Sequence, residues 1–148
     1  MFSKSEPFQQ KSAMHLKHLY KNCQFTHVCQ AFLQKYNAKN QWCTSTICHV
    51  EQLDADRFQF VRRMENVFTS TPIYEKIVVD RKELTMQGFT FEKPQDQKYS
   101  EHYTYSHLDG GNVNYSMLLF RDPGLKRIIR GRAHNWGVDS LMKLIAVQ

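Results

Sequence analysis

The chain has no apolar run approaching the roughly 20 residues that a membrane-crossing helix requires; stretches such as Met117-Leu118-Leu119-Phe120 are short. No secretory leader is expected, because Met1 to Gln10 are polar with no apolar centre. That opening also lacks arginine, which makes it a poor cleavable presequence. The four cysteines, at 23, 29, 43 and 48, form no C-x-x-C and match no zinc spacing. His49 next to Cys48 would point to the opposite face of a strand, so the two would not converge on a metal. The expectation is small buried thiols and no metal site. No nucleophile elbow, phosphate loop or dinucleotide fingerprint occurs. The seven histidines are scattered, and no Cys/His or Ser/His catalytic pair can be read from them. The reading is a protein without catalytic residues and without a cofactor.

What is present is enough to fold. A chain of 148 residues suits one domain and buries roughly two-thirds of its unfolded surface. Hydrophobic content of 41% and aromatic content of 13% support a core. A net charge of +6 favours anionic partners: phospholipid head groups, acidic protein surfaces or RNA.

Residues 1–13 read as a polar extension without periodicity, and residues 14–148 as the domain. Met14 to Tyr20 alternates as an edge strand would. In the next segment Thr26 can cap a helix that carries Val28, Ala31, Phe32 and Tyr36 at helical spacing and stops at Asn37. Trp42–Val50 and Arg57–Phe68 form a hairpin about Leu53-Asp54-Ala55-Asp56, with Phe58 and Phe60 on one face. Ile73–Val79 is a strand with Ile73, Ile77 and Val79 on one face, and Leu84–Phe91 returns from it. Lys98–His107 has Tyr99, Tyr103 and Tyr105 on one face. Asp109-Gly110-Gly111-Asn112 turns the chain into Val113–Phe120. Asp122 and Pro123 then open a final helix. Its apolar stripe runs through Leu125, Ile128, Ile129 and Trp136, then Val138, Leu141, Met142 and Ile145, and Gly137 marks a bend or a close contact with the sheet. Strand, helix, about six strands and a long helix make an α+β domain, an antiparallel sheet curved around the C-terminal helix. That architecture leaves a cavity between sheet and helix.

Two basic groups are candidate binding residues. Lys126, Arg127, Arg130 and Arg132 lie along the final helix, as a surface for anionic lipid or an acidic partner or as an ordinary solvated face. Lys126 and Arg130 are one turn apart, so their charges add. Arg62 and Arg63 are adjacent on a strand, so one faces in. An inward arginine needs an anion, either a phosphate head group or, by preference, a carboxylate of the protein itself.

Gln24-Phe25-Thr26-His27-Val28-Cys29-Gln30-Ala31-Phe32-Leu33-Gln34-Lys35-Tyr36-Asn37 resembles the opening of the PRELI/MSF1 (slowmo) family. That opening is a phenylalanine leading into an amphipathic helix that ends Lys-Tyr-Pro-Asn; the proline is missing here. The resemblance continues through the Asp54-Ala55-Asp56 turn, Arg62-Arg63-Met64, Ile77-Val78-Val79-Asp80 with Leu84-Thr85-Met86, and Gly137 with the apolar series after it. It spans Met14 to the C-terminus. It implies a helix-grip fold and a place in the mitochondrial intermembrane space or on that face of the inner membrane. It also implies a bound anionic phospholipid and often a small helical partner. Two features depart from the family. The helical lid before the strand at Ile73 is reduced to Val67-Phe68-Thr69-Ser70-Thr71-Pro72. Ala133 stands where the family commonly has an asparagine, one turn before the helix glycine.

A shortened lid, an altered head-group position and a basic surface point to an accessory, structural subunit of a mitochondrial inner-membrane complex, partnered by its other subunits. The alternatives are phospholipid binding and transfer between membranes, and an RNA-associated organellar protein. Aromatics at period two pack sheets more often than they stack bases, which disfavours nucleic acid as a partner.

Overall fold

The computed structural model describes residues 12–37, 43–66, 71–93, 98–120 and 127–146. Its elements in order are β1 (Met14–Tyr20), α1 (Phe25–Asn37), β2 (Cys43–Gln52), β3 (Arg57–Asn66), β4 (Ile73–Asp80), β5 (Thr85–Phe91), β6 (Glu101–Leu108), β7 (Asn112–Leu119) and α2 (Arg127–Ala146). The strands make one sheet in the order β1-β7-β6-β5-β4-β3-β2. Every neighbouring pair is antiparallel. The sheet curves around α2, as the order of elements predicts.

Local chemistry sets the hairpins. Asp54 Oδ1 accepts hydrogen bonds from the amides of Asp56 and Arg57, at 2.9 and 2.8 Å, closing the turn between β2 and β3. Asp80 does the same for Lys82 and Glu83 before β5. Gly110 and Gly111 hold φ of 88° and 75° at the β6–β7 turn, where a side chain would be strained. The backbone amide of Cys23 donates to the Gly111 carbonyl, and that of Asn22 to the Asn112 side chain. The turn before α1 is thus tied to the tip of a distant hairpin.

The helix starts at Phe25, ahead of the cap expected at Thr26. The Gln24 carbonyl accepts the first helical bond, from Val28, and Phe25 is drawn into the core. The expected cap at Asp122 and Pro123 lies outside the described residues, as do Trp42, Val67, Phe68, Leu125 and residues 1–11 of the extension expected over 1–13. α2 runs through Gly131 and Gly137 without interruption.

The core lies between the concave face of the sheet and the two helices. Val28, Ala31 and Phe32 come from α1; Ile77, Met86, Tyr103, Tyr105, Val113 and Tyr115 from the sheet; Val138 and Leu141 from α2. Two members of the expected α2 stripe do not join it, since Trp136 and Met142 are exposed. At 100° per residue each lies well off the line through Val138, Leu141 and Ile145. Tyr99 also departs from expectation. A bend at Ser100 precedes β6, so Tyr99 packs on the convex face with Phe89, Phe91 and Phe120, while Tyr103 and Tyr105 face inward.

Candidate functional site

Beneath α2 the strands β3 to β7 bring polar side chains into an aromatic interior. Arg62 shares its face of β3 with Phe58 and Phe60 and is 1% exposed. Its Nε donates to Glu75 Oε1 on β4, at 2.5 Å. Arg62 pairs across the strands with Glu75, and its guanidinium carbon lies 4.8 Å from the Phe32 ring centre. The inward arginine is therefore held by a carboxylate of the protein, the preferred partner. Arg63 points the other way, is half exposed, and pairs with Glu65 at 3.1 Å.

A second pair joins sheet to helix. Arg130 on α2 donates to Glu101 at the start of β6, and Thr90 also donates to Glu101, at 3.4 Å. Nearby, His134 of α2 stacks on Tyr115 of β7, with centres 5.7 Å apart and planes 17° from parallel. Glu75, Thr90, Glu101 and His134, with Tyr20, Phe32, Tyr103, Tyr105, Tyr115 and Gly137, line a cavity of about 130 Å³. It lies toward the end of the sheet where β3, β5 and β7 finish and α2 begins. Gly137 lies on the wall of this cavity.

Arg130 and Arg132, the two members of the basic series whose side chains are described, do not share one surface. Arg130 turns to the sheet and Arg132, two residues on, is exposed, because two residues on a helix differ by about 200°. Lys126 and the side chain of Arg127 lie outside the described residues. The expected pairing of Lys126 with Arg130 on one solvated face does not describe Arg130, whose charge is taken by Glu101.

The carboxylates Glu75 and Glu101, and His134, are the site residues that sequence reasoning missed. A signal for Glu75 existed: it has the same parity as Ile73, Ile77 and Val79, so it must face inward. Arg62 likewise has the parity of Phe58 and Phe60. Among the cysteines, Cys29 is partly buried, and that burial pushes its thiol up to about 12. Cys48 is exposed, contrary to expectation, because its strand is at the sheet margin. Among the described residues no cluster of His, Cys, Asp or Glu could hold a metal ion. No described helix is long and apolar enough to cross a membrane.

The chemistry available inside is small in scale. Both lining carboxylates already face an arginine, and the aromatic rings pack on one another at centre distances of 4.7 to 6.3 Å. A cavity of about 150 Å³ holds a benzene, whereas drug-sized ligands occupy about 300–1,000 Å³.

No protein-family model matches the chain, and no curated protein matches it. Solved structures do. An 18 kDa protein from Caulobacter crescentus is 10% identical, over 90% of this chain and 90% of its own, with a TM-score of 0.57. The Zhui aromatase/cyclase from Streptomyces sp. R1128 is 7% identical, over 90% of this chain and 92% of its own, with a TM-score of 0.54. At these identities the likeness is one of fold. The protein is a helix-grip domain: a seven-stranded antiparallel sheet closed by its C-terminal helix. Such a fold is compatible with binding a lipid or another ligand under the helix.

Proposed function

We propose that this chain is a non-catalytic, PRELI-like helix-grip domain that serves as an accessory subunit of a mitochondrial inner-membrane assembly. The observation that carries this reading is the interior. The space under α2 bounded by the described residues is about 130 Å³. Five aromatic rings and the Arg62–Glu75 pair occupy much of the place where a carrier would seat a lipid tail. An interior filled this way gives rigidity and leaves function to the outer surfaces. The net charge of +6 suits acidic neighbours in an assembly, and exposed Arg63 and Arg132 contribute to it. The mitochondrial setting rests on the family resemblance of residues 24–37 and the segments that follow.

The test is the native size of the endogenous protein in mild-detergent extracts of mitochondria, paired with a lipid assay on the recombinant chain. Co-migration with a large membrane complex, together with no phospholipid extracted from liposomes, is the expected outcome. A small free species that carries phospholipid in stoichiometric amount would replace this reading with lipid transfer.

A further inference from the structure

The cavity under α2 carries more hydrogen-bonding chemistry than its packing needs. Its walls are mainly rings, from Tyr20, Phe32, Tyr103, Tyr105 and Tyr115. Two carboxylates, Glu75 and Glu101, line the same space of about 130 Å³. Apolar residues in place of a buried ion pair are often neutral or stabilising, so stability alone does not call for either carboxylate.

The sequence also keeps this space open. Gly88 pairs with Tyr103 across β5 and β6. A Cβ at Gly88 would fall within 2.3 Å of Cζ, Cε2 and Oη of that tyrosine. Glycine lets the ring lie across the strand. A side chain there would push the ring off the sheet, toward the space under α2.

Size, charge and hydrogen bonding define what fits. The size is that of one ring, since an apolar cavity of roughly 150 Å³ holds a benzene. The near-parallel rings of Tyr115 and His134 add a flat wall for stacking. The charge is balanced, because Arg62 faces Glu75 and Arg130 faces Glu101. A charged guest would enter with no counter-ion in a place that excludes water. The hydrogen bonding has acceptors to spare. A carboxylate offers about four lone-pair sites. Among the described residues Glu75 accepts one bond, from Arg62, and Glu101 accepts two, from Arg130 and Thr90. Arg130 Nε is buried and has no acceptor among the described residues. A hydroxyl, which donates and accepts, suits both needs.

We infer that this cavity binds a neutral, single-ring aromatic carrying a hydroxyl, with the ring among the tyrosines and the hydroxyl donating to Glu75 or Glu101. The ligand is a phenol in its chemistry and far smaller than a lipid. The accessory-subunit reading concerns the outer surfaces and this one the space left inside, so neither rests on the other.

The experiment titrates the purified full-length chain with phenol, benzene and benzoate, followed by NMR chemical shifts. Phenol should saturate, with shifts centred on Tyr103, Tyr115 and His134. Its affinity should exceed that of benzene roughly tenfold, the effect of one hydrogen bond to a charged group. Benzoate should not bind. Met117→Phe, which adds bulk on the β7 wall of the cavity, should remove the saturable phenol shifts. The wild-type series reads the site even if that variant misfolds. Equal affinity for phenol and benzene overturns the inference, because the carboxylates would then take no part. Tighter binding of benzoate overturns it too, and would make this an anion site built on the arginines. So does phenol that binds nowhere, or that shifts only residues outside the cavity.

Discussion

The middle strands of the sheet and its β2 margin have similar alternating sequences and different fates. Around β5 to β7 the inward residues Met86, Tyr103, Tyr105 and Val113 are buried under the helices. On β2 the inward Ile47 and Val50 are exposed. Alternation fixes which face a side chain takes; whether that face is covered depends on how far the helices reach. α2 packs on α1 and β1, and α1 packs on β2, β6 and β7. The difference teaches that an apolar strand residue is core at one end of this sheet and surface at the other.

Substitutions can sharpen this contrast. The largest effect is expected at the buried pair. Arg62→Met leaves Glu75 buried without its charge partner and should cost about 3–5 kcal/mol in urea unfolding. Adding Glu75→Leu should recover most of it, since an apolar pair is nearly neutral there. A loss below about 1 kcal/mol for Arg62→Met would mean that water reaches the pair.

Gly88→Ala comes next. A Cβ there would lie 1.9 Å from Cζ of Tyr103, a ring wedged against Phe32. Overpacking of this kind should cost about 1–3 kcal/mol. Tyr103→Leu in the same chain should relieve part of it, while Tyr103→Phe, which keeps Cζ, should not. Independent, additive losses in the double variant would break the proposed contact.

A smaller effect concerns acid. His102 stacks on Phe89 at 4.4 Å and bonds Gln87 at 3.0 Å, and burial lowers its pKa from the ordinary 6.5. The unfolded chain therefore binds the proton more readily. Stability is full above 6.5 and falls as pH drops from there toward the lowered value. Denaturation midpoints on either side of 6.5 should show this slope, and His102→Gln should flatten it. An unchanged slope would shift the effect to another histidine, with His18, also lowered by burial, the next to replace.

The smallest effect belongs to Val50, exposed on the marginal strand β2. Val50→Thr should change the stability of the monomer by no more than about 0.5 kcal/mol. A larger loss would show that Val50 is covered in solution.

Much of the fold was legible because its signals are local. Alternation placed the strands, and Asp54, Asp80 and the Gly110-Gly111 pair marked turns whose hydrogen bonds are short-range. Helical spacing found Val28, Ala31 and Phe32. Adjacency on a strand was enough to send one of Arg62 and Arg63 inward, and the cost of a buried charge was enough to favour a carboxylate beside it. What escaped depends on meetings between distant segments. Nothing near Arg130 announces Glu101, 29 residues earlier in the chain. The bulge at Cys48 in β2 is visible only against β3. The Ser100 bend that sends Tyr99 to the convex face also has no local signature, and its hydrogen bonds reach Thr90 and Phe120. The chemistry of the interior was likewise out of reach, since the residues lining it come from α1, β1, five further strands and α2.

The pairing of the first strand with the last has a kinetic consequence. His15 and Ser116, bonded across β1 and β7, are 101 residues apart, and the Asn22–Asn112 tie spans 90. A chain that emerges N-terminus first offers β1 long before β7 exists. β1 and the turn before α1 must wait, unpaired, while the consecutive hairpins from β2 to β7 assemble beside them. Closing so long a loop costs entropy, so docking of β1 onto β7 is expected to be the late, slow event. Until then β7 is the margin in place of β1, and its sequence NVNYSMLL has no lysine to blunt it.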